Sequence, residues 1–143
     1  MLCIRFTQGE GCYIHGTPAE LRDVSEKILQ LASVGHGSYS FPADTSISPQ
    51  PYDRLLSQLI IRVANGLVCA TVTGDTLIVE AGNDFLIGFA SFFDFSDGTP
   101  HGHHYHHDYW EGNEYVSPNS TALVIGVWFP FQSSAGAADG SPG

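Results

Sequence analysis

Basic side chains are scarce in this sequence, and none follows Arg62. The 143 residues include five Lys and Arg against 15 Asp and Glu, for a formal charge of −10. Nine of the acidic residues lie after Arg62. A surface of that sign repels a phosphate backbone, because nucleic-acid binding depends on clustered Lys and Arg. We therefore expect no direct nucleic-acid ligand and favour a basic protein partner, although acidity that serves solubility alone is the alternative.

Other common signatures are also missing. Cys3, Cys12 and Cys69 are an odd number without CxxC spacing, which favours reduced thiols over a disulfide framework or a zinc knuckle. No run reaches the roughly 18 apolar residues of a membrane span, and the opening MLCIRFTQGEGCY lacks the features of a signal peptide. We expect a soluble, cytoplasmic protein that does not bind membranes. GxSxG, GxGxxG and GK[ST] motifs are absent, so neither catalysis nor a cofactor is expected.

The local patterns that are present predict an α+β fold. TPAELRDVSEKILQLASVG has the signature of a capped helix, with Thr17 as N-cap, Pro18 in the first turn, Glu20 completing a capping box and Gly35 ending the helix. NDFLIGFASFF predicts a second helix, with Asn83 as its cap and its aromatic residues in the core.

Strand patterns fill most of the remaining chain. MLCIRFT and GCYIHG predict a hairpin, and three runs between residues 55 and 81 are simplest as a meander. The histidine-rich segment and TALVIGVW predict two closing strands. We expect a mainly antiparallel sheet of about five to seven strands with two helices packed on one face. Residues 1–130 would form a single domain, and residues 131–143 a disordered tail.

The segment HGHHYHHDYW holds five of the seven histidines, at positions 101, 103, 104, 106 and 107. On a strand, alternation would place His104, His106 and Asp108 on one face and His103 with His107 on the other. Two imidazoles and a carboxylate are a set that transition metals accept. A metal-binding protein or a metal-dependent enzyme is therefore the alternative function, and acid–base chemistry by His106 and Asp108 is also conceivable.

The order of these features resembles a known family. It runs from IHGTPAELRDVSEKILQLA through LIIRVANGLVCATVTGDTLIVEAG and NDFLIGFASFF to HHYHHDYWEGNEYVSPNSTALVIGVW. This order resembles the immunity protein 32 family of bacterial polymorphic-toxin systems over roughly residues 10–129. The resemblance implies a small bacterial protein that binds and neutralises a cognate toxin. The run of five histidines is denser than the family pattern, which leaves an additional metal role open.

The acidic second part of the chain predicts that such a toxin presents a basic surface, as a nuclease would. We place the expected contact on the histidine-rich strand and the loop after it. The candidate binding residues are His103, His104, His106, His107, Asp108, Trp110, Glu111 and Glu114.

Overall fold

A computed structural model describes residues 1–130 as two helices and nine strands in two sheets. The elements are β1 (Cys3–Thr7), β2 (Gly11–Gly16), α1 (Pro18–Val34), β3 (Ser38–Pro42), β4 (Arg54–Leu55), β5 (Gln58–Val63), β6 (Cys69–Thr73), β7 (Thr76–Ala81), α2 (Asn83–Ala90), β8 (His104–His107) and β9 (Leu123–Val127), with a 3₁₀ turn at Ser91–Phe93. The α+β class is confirmed. Within the described part of the chain, no helix is long and apolar enough to span a membrane. The predicted tail, residues 131–143, lies outside the described residues.

The strands form two sheets where one was expected. The five-stranded sheet has the order β4-β1-β2-β9-β8, and the four-stranded sheet has the order β3-β5-β7-β6. Most pairs are antiparallel, including the predicted β1–β2 hairpin, but β2–β9 and β5–β7 are parallel. Residues from both sheets and both helices join in one buried cluster. That both helices pack on one face stays a prediction.

The predicted meander is wrong, because β6 does not pair with β5. β7 lies between them, parallel to β5 and antiparallel to β6. The burial pattern supplies the reason. β7 buries Leu77, Val79 and Ala81 at alternate positions, whereas β6 fully buries only Ala70. The more apolar strand therefore takes the inner place, and the less apolar one lies at the edge.

Helix α1 begins and ends where its sequence predicts. The Thr17 hydroxyl accepts a hydrogen bond from the Glu20 N–H at 3.2 Å, and the Glu20 carboxylate accepts one from the Thr17 N–H at 2.9 Å. Gly35 ends the helix at φ 88°, and its N–H donates to the Leu31 carbonyl at 3.0 Å. Both ends are thus fixed by local hydrogen bonds.

Helix α2 begins one residue earlier than predicted. Its N-cap is Gly82, in an extended conformation, and no side chain caps the helix. Asn83 is already the first helical residue, so the prediction of an Asn83 cap is wrong. The predicted aromatic core of this region is present, since Phe89 and Phe93 are fully buried and meet edge to face at 5.3 Å.

The register of the five-stranded sheet gives it two different faces. Its core face carries the buried apolar residues Ile4, Phe6, Cys12, Ile14, Leu123 and Ile125. Its outer face carries Cys3, Arg5, Tyr13, His15, His104 and His106. Gly126 lies among these side chains, where an added Cβ would be 2.7 Å from the His104 Cβ and 3.1 Å from the Tyr13 hydroxyl oxygen. Only glycine fits there without displacing a neighbour.

Candidate functional site

The loop that follows β8 is held against the edge of the four-stranded sheet. The Val68 N–H donates to the Tyr115 carbonyl at 2.9 Å, and the Ser117 N–H donates back to the Val68 carbonyl at 2.8 Å. Farther along, the Thr121 N–H donates to the Ala70 carbonyl at 2.7 Å. The loop therefore has a fixed backbone path although it contains no regular strand.

A tight turn at the start of this loop presents its tip outward. The Asn113 N–H donates to the Trp110 carbonyl at 3.0 Å, and Gly112 between them has a φ of 91°. The Asn113 side-chain oxygen then accepts from the N–H groups of Tyr115 and Val116, at 2.7 and 3.1 Å. An Asn that binds its own following backbone is a common way to stabilise a turn. Trp110 and the residue after it are thereby exposed.

A cavity of about 350 Å³ lies between this loop and α2. Phe85, Phe89 and Phe92 line it from the helix and the 3₁₀ turn, and Trp110 with Tyr115 lines it from the loop. Trp110 is 63% exposed and Tyr115 67% exposed. Soluble proteins seldom leave such side chains next to an apolar cavity unless the surface binds something.

His107 forms the inner wall of this cavity and is 4% exposed. Its ring meets Phe89 and Phe92 edge-on, with ring centroids 4.8 and 4.7 Å apart. Burial lowers the pKa of His107, while its own backbone and the Asp108 carboxylate oppose that shift. Its Nδ1 is buried, and no residue in the described range forms a hydrogen bond with it. His107 is therefore a neutral packing residue.

The remaining histidines of the segment do not form a metal site. His104 and His106 share the outer face as predicted, with ring centroids 5.1 Å apart, and the His104 Nδ1 lies 2.8 Å from the Gly102 carbonyl. Asp108 lies beyond the end of β8, which is shorter than the predicted strand. Across residues 1–130, no group of three or more His, Cys, Asp or Glu side chains could hold a metal ion. The candidate set of the alternative function, His104, His106 and Asp108, is not assembled.

Two acidic side chains line the cavity, and two more are exposed in the loop next to its lining residues Trp110 and Tyr115. They are Asp84 on α2 and Asp108, Glu111 and Glu114 on the loop. None of the four forms an ion pair with any described residue. Four of the five Lys and Arg side chains are instead paired with Asp23, Asp75, Glu80 and Asp97. We call these four acids, with the exposed Tyr109, Trp110 and Tyr115 and the cavity between them, the aromatic–acidic surface.

Six of the eight binding residues predicted from the sequence lie at this surface. His106, His107, Asp108 and Trp110 line the cavity, and Glu111 and Glu114 flank them in the same loop. The other two candidates lie elsewhere. The His103 ring packs near Phe95 and Tyr105, and His104 lies on the outer face of the sheet.

The sequence did not indicate that α2, above all Asp84 and Phe85, and Tyr115 contribute to this surface. The sequence predicts that the aromatic residues of NDFLIGFASFF lie in the core. This is correct for Phe89 but incomplete for Phe85 on α2 and Phe92 in the 3₁₀ turn, which are half-buried. The one available signal was that this helix has an aromatic face too broad for a single packing partner.

Comparison with known proteins identifies the family. The family model of immunity protein 32 matches residues 13–44 and 83–127, which together are more than half of the chain. The second block runs from α2 to β9 and contains nearly all of the aromatic–acidic surface. Comparison with curated proteins and with solved structures gave no match. An immunity protein acts by binding a toxin, and this chain belongs to the immunity protein 32 family.

Proposed function

We propose that this immunity protein neutralises its toxin by covering a basic surface of the toxin with the aromatic–acidic surface. The observation that carries the proposal is an apolar cavity bordered by exposed Trp110 and Tyr115, with four nearby carboxylates that form no ion pair among the described residues. The toxin residues that fit are an apolar or aromatic anchor in the cavity, flanked by Lys or Arg.

Side-chain chemistry supports the aromatic half of this proposal. Trp and Tyr dominate the binding energy of protein interfaces, because they remove much apolar area from water at a low cost in conformational entropy. Here they border a cavity that is already formed. The backbone hydrogen bonds from Val68 to the loop hold that arrangement before a partner arrives. Such preorganisation reduces the entropy lost on binding.

Charge supports the other half. Asp84, Asp108, Glu111 and Glu114 lie in a part of the chain that contains no Lys or Arg. A toxin that acts on nucleic acid needs a basic surface to hold phosphate, and a negatively charged inhibitor attracts that surface over a distance. The charges would mainly speed association, and the aromatic contacts would slow dissociation.

The experiment is co-expression with the protein encoded by the immediately upstream gene. Rescue of growth and co-purification would support immunity, and failure of both would overturn it. A second measurement tests the charge argument separately. The affinity of the purified complex should fall as salt rises, with most of the change in the association rate. A complex whose affinity does not depend on salt would contradict a basic contact surface even if growth is rescued.

A further inference from the structure

Arg5 is a buried cation without a carboxylate partner. It lies on β1, on the outer face of the five-stranded sheet, and is 9% exposed. The other four basic side chains each pair with an Asp or Glu, but no acid within residues 1–130 forms an ion pair with Arg5. A buried charge is costly unless an opposite charge or a full set of hydrogen bonds compensates it.

The contacts that Arg5 does make leave it incompletely satisfied. Nη1 contacts the His15 Nε2, and Nη2 donates to the Ser48 carbonyl at 3.2 Å. The guanidinium also lies 5.4 Å from the ring centroid of Trp128. Nε is buried and has no acceptor among the described residues. A guanidinium has five N–H groups, so most of its donors have no acceptor within residues 1–130.

His15 does not supply the missing negative charge. Burial, followed by the nearby Arg5 charge, lowers the pKa of His15 to about 3, so its ring is neutral at physiological pH. Its Nε2 then accepts from Arg5, which places the ring proton on Nδ1. The pair keeps the full positive charge of the guanidinium.

Arg5 lines a cavity of about 360 Å³, together with His15, Ile47 and Trp128. Glu20 and Asp44 also line it, but both are engaged elsewhere. Glu20 pairs with the N-terminal ammonium group, and Asp44 accepts two hydrogen bonds from Ser46. The carboxylates of Glu20 and Asp44 still repel an anion in the cavity, and they repel a dianion more than a monoanion. A monoanion therefore fits better than a phosphate dianion.

We propose that this Arg5 cavity binds the carboxylate of a small organic acid, with the guanidinium holding the two oxygens and the Trp128 ring contacting the apolar body. Arg binds carboxylates through parallel hydrogen bonds in its planar fork. A volume near the lower end of ordinary ligand pockets suits a small acid. The site is distinct from the aromatic–acidic surface and does not depend on the proposed function.

The test uses sodium benzoate, sodium acetate and inorganic phosphate, compared with sodium chloride at equal ionic strength. The two indole N–H signals of the protein, from Trp110 and Trp128, are followed by NMR. Benzoate should shift the Trp128 signal saturably, with a Kd of about 1 mM or tighter, and leave Trp110 as an internal reference. Acetate should bind more weakly because it lacks the ring, and phosphate should be weaker than benzoate.

Arg5→Gln should raise the benzoate Kd about tenfold or more, because it removes charge-assisted hydrogen bonds. Arg54→Gln is the matched control, since it changes net charge equally at an exposed arginine that is paired with Asp75. If Arg5→Gln does not fold, Arg5→Lys keeps the charge without the fork, and it should bind benzoate more weakly than wild type. A Trp128 signal that none of the acids shifts, or a shift that persists unchanged in the Arg5 variants, would overturn the proposal.

Discussion

The Arg5 guanidinium and the carboxylates of the aromatic–acidic surface are opposite in charge and in exposure. Arg5 is buried and forms no ion pair with Glu20 or Asp44, which line the same cavity. The four carboxylates of the surface are near solvent and form no ion pair with a described Lys or Arg. Elsewhere the pattern differs, because every other Lys and Arg of the chain is paired. Arg5 is thus the one basic side chain that forms no ion pair with a described residue, and the aromatic–acidic surface groups four acids that form none.

The difference between the two regions lies in what each unpaired charge costs the folded protein. Exposed carboxylates keep their hydration, so the aromatic–acidic surface costs little stability while it waits for a partner. The buried guanidinium has lost most of its hydration, and in the described part of the chain its contacts are with His15, Ser48 and Trp128. Changes at the surface should therefore alter binding without altering folding, and changes around Arg5 should alter folding without altering toxin binding.

Replacing Trp110 by Ala should have the largest effect on binding. We expect the toxin complex to weaken by about 2 kcal/mol or more, which is about 30-fold in Kd, because the indole borders the cavity at the centre of the surface. Stability should change by less than about 0.5 kcal/mol, since the side chain is 63% exposed. Calorimetry of binding and urea denaturation measure the two quantities.

The control for that variant is Tyr39→Ala. Tyr39 is a 39% exposed aromatic residue on β3, at the edge of the four-stranded sheet opposite β6. The Tyr39→Ala variant should leave the Kd of the toxin complex unchanged. Equal losses for Trp110→Ala and Tyr39→Ala would place the toxin contact elsewhere.

Lowering the pH should destabilise the folded protein through His15, which contacts Arg5. The pKa of His15 is lowered from 6.5 to about 3, chiefly by burial, so the unfolded chain takes up this proton before the folded protein does. The contribution of neutral His15 is fully present above about pH 6.5 and is lost as the pH falls toward 3, by at most about 1.4 kcal/mol per pH unit. Urea denaturation between pH 7 and pH 4.5 measures this slope.

His15→Gln isolates the histidine from the titrating carboxylates, because Gln can still accept from Arg5 but does not titrate. The difference in stability between wild type and this variant should change with pH in that range. A difference independent of pH would mean that His15 is protonated in the folded protein at low pH as easily as in the unfolded chain.

The two helix starts offer a smaller test, since one borders each region. Thr17→Ala removes the capping hydrogen bond of α1, whose Glu20 lines the Arg5 cavity, and should cost about 1 kcal/mol. Asn83→Ala at the start of α2 should cost less than about 0.5 kcal/mol, because that helix has no side-chain cap. Chemical denaturation of both variants measures the two losses of stability. Equal losses would contradict the predicted difference between the two helix starts.

The smallest expected effect is that of Glu111→Gln combined with Glu114→Gln. We expect association with the toxin to slow by a few-fold at low salt, with little change in dissociation. Glu10→Gln combined with Glu26→Gln changes the net charge equally on acids that form no ion pair among the described residues. If both pairs slow association equally, overall charge accounts for the attraction and the position of the loop acids does not.

The sequence predicted best what is determined locally. The start and end of α1 depend on Thr17, Glu20 and Gly35, whose hydrogen bonds all lie within one turn of the chain. The order of β5, β6 and β7 depends instead on contacts with the whole core, and no local signal encodes it. Helix α2 shows that local signals can miss a helix start by one residue, since its N-cap is Gly82 and not the predicted Asn83.

The candidate site also has one part that local sequence predicts and one part that only the folded chain brings together. Net charge and composition indicated Asp108, Trp110, Glu111 and Glu114, because these residues are near one another in the sequence. The role of α2 could not be predicted, since the loop meets the helix only in the folded chain. Arg5 shows the converse case. In an alternating strand it reads as a solvent-facing residue, but the chain around Ser48 and Trp128 covers it.

The hydrogen bonds between the loop and Val68 and Ala70 have a consequence for solubility. β6 is the edge of the four-stranded sheet, and an open edge is a template for pairing with another chain and for aggregation. Here the N–H and carbonyl groups of Val68 are both taken by the loop backbone, and those of Ala70 by Ser120 and Thr121. The segment that carries Trp110 therefore also closes part of this edge. Substitutions that detach it should cause self-association as well as loss of toxin binding.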